Sequence, residues 1–221
     1  MSSEATRVAL MDAAVRLTAR TGTKGLTARG IATEAGVNQA LVYYHFQGVD
    51  GLLHEAYRRA TLALIADFTA DLEAVTTFEE LYGVGARLAA RSTDDGSAAL
   101  LSHVIAAAHS DDQMAVMLGE CMGHWRAAIS ASVHRVLASR GLDTAMDVEA
   151  LTDSLAAATV GLVTMGAVPG QPLGDPLKAV GGLPPLLDRT LRLVPPALAR
   201  RIFRSRERPS SGTSSGQRAD H

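Results

Sequence analysis

Residues 27–46 read TARGIATEAGVNQALVYYHF: two short helices set around a glycine, closed by an aromatic cluster. Thr27 suits an N-cap, and Ile31, Ala32 and Ala35 fall on one face of the helix that follows it. Gly36 supplies the turn. Asn38 can cap a second short helix, on which Leu41 and Val42 face inward while Gln39, Ala40, Tyr43 and Tyr44 point out. This is the layout of a helix-turn-helix.

The outward residues are of the types that a major groove accommodates. Gln39 has a donor and an acceptor on one planar group and can pair bidentately with adenine, Ala40 can touch a thymine methyl, and the Tyr43 and Tyr44 hydroxyls can reach phosphates or base edges. As an N-cap, Thr27 sits where a hydroxyl and free backbone N–H groups can hold a phosphate. Arg29 has the fork that reads guanine O6 and N7, and His45 can donate to phosphate. A second reading has one or both tyrosines plugging the core of a small helical unit, with His45 doing no more than packing.

Together with RVALMDAAVRLTARTG before it and GLLHEAY after it, the segment resembles the TetR family of one-component bacterial transcription regulators, over roughly the first 57 residues. The resemblance implies a three-helix DNA-binding head, a larger helical ligand domain and a homodimer. Matched residue by residue, the family's base and phosphate contacts fall on Thr27, Arg29, Asn38, Gln39, Ala40, Tyr43, Tyr44 and His45. The chain departs from the pattern at three places: Val49 stands where a phosphate-contacting lysine is usual, Thr21 where an acid is common, and Thr18 where an aromatic is usual. These changes imply one backbone contact fewer and a slightly smaller head core.

The charge distribution is consistent with a head that docks on DNA. The formal net charge of the 221-residue chain is -2, but residues 1–46 carry five Lys or Arg against three Asp or Glu, while residues 47–199 carry ten against eighteen. An acidic body is repelled by phosphate, so only the head can dock. A second basic cluster, with five arginines, lies between Arg200 and Arg208. The opening MSSEATRVAL has an acid at Glu4 and no apolar run, unlike a secretory signal. The uncharged stretch Ser154–Gly174 is broken by Pro169, Gly170 and Pro172, which disfavours a membrane span. The lone Cys121 cannot form an intrachain disulfide. A cytoplasmic protein is expected.

Apolar spacing predicts further helices over Gly51–Val75, Phe78–Ala90, Ser97–Ala108, Asp112–Ser139, Asp147–Val168 and Leu183–Phe203, with no strand. The expected fold is all-α: a helix-turn-helix head over 1–47, a helical ligand-binding and dimerisation domain over 48–204, and a disordered tail over 205–221. By the resemblance, the last two helices pair with their copies in a four-helix bundle, which makes Leu155, Leu162, Leu187 and Leu191 interface candidates. Ordinary intrachain core is the competing reading, and Pro195 and Pro196 end the last helix's contribution near Val194.

The segment His103–Trp125 is the candidate effector pocket. His103, Met114, Met117, Cys121 and Trp125 offer flexible sulfurs, one large aromatic and one polar anchor, although each methionine also suits plain core packing. His103 and His109 are six apart and fall on different faces, so a zinc site is not expected. No enzyme and no cofactor is expected either. GTSSG at 212–216 lacks the strand and helix of a nucleophile elbow, and the His54-Glu55 pair is followed by Arg58 rather than the second histidine of a zinc protease. The chain therefore reads as a dimeric regulator, a repressor released from a palindromic DNA operator by a small-molecule effector. The alternative is a ligand-binding or protein-interaction module that has lost specific DNA binding.

Overall fold

Most of the helices begin where a side chain can satisfy their free N–H groups. In the computed structural model, which describes residues 2–143, 146–166, 168, 181–193, 195 and 198, the described residues form helices and no strand. Helix α1 (Ser3–Thr21) starts on the Ser2 hydroxyl, which accepts from the Ala5 N–H at 3.2 Å. Helix α2 (Ala28–Ala35) starts on Thr27, whose hydroxyl accepts from Gly30 N–H at 3.1 Å. It ends at Gly36, held at φ 67°, a left-handed conformation that a glycine adopts without strain.

Helix α3 (Ala40–Phe46) follows a short turn, in which Asn38 Oδ1 accepts from Ala40 N–H at 2.8 Å. Asn38 thus does the capping, one position ahead of the formal N-cap residue Gln39, whose side chain makes no cap bond. Val42 and Phe46 are buried beneath α3, and Leu41 is half-buried.

Helix α4 (Val49–Glu73) runs 25 residues, long enough to belong both to the head and to the body. In the head it packs on α1, where the fully buried Tyr57 hydroxyl lies 2.6 Å from the Thr18 hydroxyl. In the body it lies against helix α7 (Asp112–Ala138), the longest at 27 residues. Met114, Met117, Cys121, Trp125, Ile129 and Ser132 recur at spacings of three and four and make the buried seam of α7. Where α4 ends, its free carbonyls are taken up by α7: Arg135 donates to Leu72 O and Val75 O at 3.0 Å each, and Ser132 donates to Leu72 O at 3.0 Å.

Helices α5 (Phe78–Asp94) and α6 (Ser97–Ala108) complete the middle of the body. A capping box opens α5, with the Thr77 hydroxyl accepting from Glu80 N–H and the Glu80 carboxylate accepting from Thr77 N–H, both at 3.1 Å. Helix α8 (Val148–Gly166) packs on α5 and α7, and helix α9 (Leu183–Leu193) on α5. Helix α5 runs one turn beyond the expected Ala90, and the boundaries of α4, α7 and α8 move by one or two residues from the sequence reading. The tail 205–221, the arginine cluster 200–208 and most of the 169–182 segment lie outside the described residues, as does the continuation of α9 towards Phe203.

Candidate functional site

On the head, α3 presents a continuous polar and aromatic row. Gln39 and Ala40 are exposed, Tyr43 and Tyr44 are 55% and 77% exposed, and His45 is half-buried with its ring 4.9 Å from that of Tyr44 in an edge-on contact. The tyrosines therefore do not fill the core; Val42 and Phe46 do. Thr27 and Arg29, at the start of α2, are also exposed. The first N–H groups of α2 have no intrahelical partner, which is the arrangement that holds an anion. All eight residues expected at the nucleic-acid surface thus lie at the N-cap of α2, on α2 or α3, or in the turn between them, and seven of them are exposed.

Two features of the head fix the attitude of that row. Gly51, in the first turn of α4, stands so close to α3 that a Cβ there would lie 2.2 Å from Phe46 O. The contact sets how nearly α4 can cross the end of α3, and nothing in the sequence pattern distinguishes this glycine from an ordinary helix glycine. The other feature is a two-pronged ion pair between α1 and α2. Arg16 Nε meets Glu34 Oε1 at 3.1 Å, and Arg20 Nη2 meets Glu34 Oε2 at 2.9 Å. Hydrogen bonds from Arg16 and then Arg20 hold the Glu34 carboxyl below its ordinary range.

Between head and body lies a cavity of about 600 Å³, within the size range of small-molecule sites. Its walls come from α1, α4, α5, α6, α7 and α8, and are largely apolar, with Phe68, Leu101, Met122 and Trp125 among them. Of the five residues expected to form a pocket, Trp125 lines this space. Met114, Met117 and Cys121 are instead locked into the buried seam of α7, with Cys121 Sγ 3.8 Å from Met117 Sδ. Burial pushes the Cys121 thiol up, which makes it a poor nucleophile. His103 packs by the head, where a Cβ on Gly22 would lie 3.2 Å from its ring. Most of the wall lies outside the expected His103–Trp125 segment, on α4, α5, α6 and α8 and also on α1, whose Val15, Arg16, Ala19 and Arg20 line the cavity. A head helix gives no pattern that marks it as a pocket wall.

Residues 10–56 match the sequence profile of bacterial regulatory proteins of the tetR family. The match covers the head and stops within α4, leaving the body outside it. No curated protein sequence matches the chain. Among solved structures, it is similar to a candidate transcriptional regulator from Streptomyces coelicolor A3(2), with 24% identity and a TM-score of 0.63 over 81% of this chain and 98% of the other. A second, from Pseudomonas aeruginosa PAO1, has 21% identity and a TM-score of 0.67 over 92% and 96%. A third, from Saccharomonospora viridis and solved in complex with choline, has 20% identity and a TM-score of 0.67 over 82% and 93%. At these identities the likeness is one of fold, and it extends along nearly the whole of each of the three structures.

At the start of α4, where the family resemblance led to the expectation of a lysine, Val49 is half-buried and packs on the core. The side chain is turned to the interior of the head, so the phosphate contact that a lysine makes there has no counterpart at this position.

Proposed function

We propose that the chain is a dimeric repressor that grips a palindromic operator through α2 and α3 and is released when a small molecule fills the cavity. The observation that carries the DNA-binding half is the exposed row Gln39, Ala40, Tyr43 and Tyr44 beside the Thr27-capped N-terminus of α2. Large aromatics left in water on a short rigid helix, next to an anion-binding helix end, are costly unless a partner covers them. Arg29 and Gln39 read base edges, while Thr27, Asn38, Tyr43, Tyr44 and His45 position the head on the backbone. The head is one unit, 1–47, and the effector and dimerisation body is the other, 48–204.

The second copy is supported by apolar surface on the last two helices. Helix α8 is 19 residues long and apolar enough to cross a membrane by length and composition, yet only 17% of its apolar window is buried within the chain. On α9, Leu183, Leu186, Leu187 and Leu193 are 56%, 59%, 48% and 79% exposed. Leu155, Leu162 and Leu191 are half-buried along the same two helices. A second copy that brought its own α8 and α9 against these would cover both apolar faces through one two-fold contact. It would also hold two heads at the spacing of successive major grooves, about 34–36 Å.

The cavity supports the effector half, and a similarly folded protein from Saccharomonospora viridis was solved with choline. A ligand that prefers a different head spacing by about 1–3 kcal/mol shifts operator occupancy by about 5- to 150-fold.

The test is a gel shift with DNA from immediately upstream of the gene, at two salt concentrations and with excess non-specific competitor, alongside sedimentation of the free protein. The expected result is a dimer whose shift survives competitor and weakens steeply with salt. Absence of any competitor-resistant shift would favour a ligand-binding module that no longer uses its head on DNA.

A further inference from the structure

The cavity mouth carries charge that the apolar interior does not explain. Arg16 and Arg20 both line the cavity, and both are half-exposed, with side chains 51% and 59% accessible. Each is tied to Glu34 through a single nitrogen, Nε in one case and Nη2 in the other, which leaves most N–H donors of both forks unused by that pair. Ser97 lines the same cavity, but its Oγ is buried away from the open space. Asp94 and Asp95 also reach the rim, but Asp95 is occupied: Oδ1 accepts from Ser97 N–H at 2.9 Å and Oδ2 meets Arg91 Nε at 3.5 Å. Asp94 is exposed at the end of α5. The donors free to act at this mouth are therefore the two guanidiniums.

We infer that the cavity takes an apolar carboxylate, whose head group engages Arg16 and Arg20 in competition with Glu34. The inference rests on the reading of the cavity as the effector site and adds the chemical class of the effector and the route of its action. The aliphatic or aromatic body fills the space lined by Phe68, Leu101, Met122 and Trp125, while the carboxylate accepts from the unused nitrogens of both arginines. Glu34 is the tie by which α2 is held to α1 through charge. A second anion on the same two arginines weakens that tie, and Thr27 and Arg29 lie at the other end of the short α2. Ligand binding thereby reaches the DNA-facing end of α2 through one shared pair of side chains.

Trp125 is the only tryptophan of the chain and lines the cavity, so its emission reports binding directly. The full-length protein is titrated with three probes of matched size and different charge: decanoate, 1-decanol and decylamine. Decanoate is expected to bind at least about ten-fold tighter than decanol, as a charge-assisted contact requires. An Arg16→Gln/Arg20→Gln variant should lose that preference while keeping its affinity for decanol, which also shows that the variant is folded. Glu34→Gln should raise decanoate affinity several-fold by removing the competing carboxylate, and should leave decanol unchanged. Equal affinity for decanoate and decanol, or a preference for decylamine, overturns the carboxylate inference while leaving the cavity as a ligand site. No response to any of the three overturns the effector reading of the cavity and this inference with it.

Discussion

Arg140 and Asp188 form a buried ion pair at 2.7 Å, with side chains only 11% and 6% exposed, between the end of α7 and the middle of α9. The same aspartate accepts from the Phe78 and Glu79 N–H groups at 3.3 and 2.9 Å, and Arg140 donates also to Asp188 O at 3.0 Å. One carboxylate therefore closes the N-terminus of α5, neutralises a buried guanidinium and anchors α9. Asp188→Ala would leave Arg140 buried and unpaired, a change worth about 3–5 kcal/mol. We expect a large fall in melting temperature and, in sedimentation, a shift from dimer towards monomer as α9 loses its seat. An unchanged melt would show that the clamp contributes little.

Gly51→Ala should damage the head selectively. The added methyl would meet a backbone carbonyl at 2.2 Å, which a side-chain rotation cannot relieve, so α3 and α4 must separate. Overpacking of this kind costs about 1–3 kcal/mol. Operator binding should fall at least about ten-fold, while the sedimentation profile of the body stays dimeric; the same substitution at Gly119, where a Cβ meets nothing, serves as the control.

Tyr44→Ala and Gln39→Ala should weaken operator binding by about 1–3 kcal/mol, about 5- to 150-fold, because on the proposed reading the first removes a backbone contact and the second a base contact. Tyr44 is 77% exposed, so thermal stability should hardly change. A loss of stability comparable to the loss of affinity would mean that the ring supports the fold instead.

Tyr57→Phe tests the seam between α1 and α4. Thr18 keeps its bond to Ala14 O at 2.8 Å, so no hydroxyl is orphaned, and the loss should be about 1 kcal/mol. Burial raises the Tyr57 pKa by penalising the phenolate, and the contact with the Thr18 hydroxyl offsets only part of that. The folded state therefore holds this proton more tightly than the unfolded chain, and the resulting stability is present below about pH 10 and lost as pH climbs through the folded value. In urea melts from pH 7 to 11, the variant should lose less stability than the parent above pH 10.

The helix-turn-helix was legible because its determinants are local. A threonine cap, a glycine at the turn, an asparagine before the second helix and an apolar face of short period are all written within twenty residues, and the exposed row on α3 follows from the same period. The cavity was harder to read. Met114, Met117 and Cys121 carry pocket-like side chains, but their spacing places them on the α7 seam, and the i, i+3, i+4 pattern that marks a helix as buried does not say whether it meets another helix or a space. Arg16, Arg20 and Asp188 owe their roles to partners 14 to 110 residues away, and no local pattern encodes that distance.

Helix α1 packs on α2 and α4 in the head and also forms one wall of the cavity. Head and chamber thus have no independent foundations. Any occupant that favours one placement of α1 and any DNA that favours another must each change the other's affinity by the same factor, since binding free energies around a closed cycle sum to zero. The protein on its operator should therefore be the poorer receptor, and a ligand measured only against the free protein will look tighter than it is at the promoter.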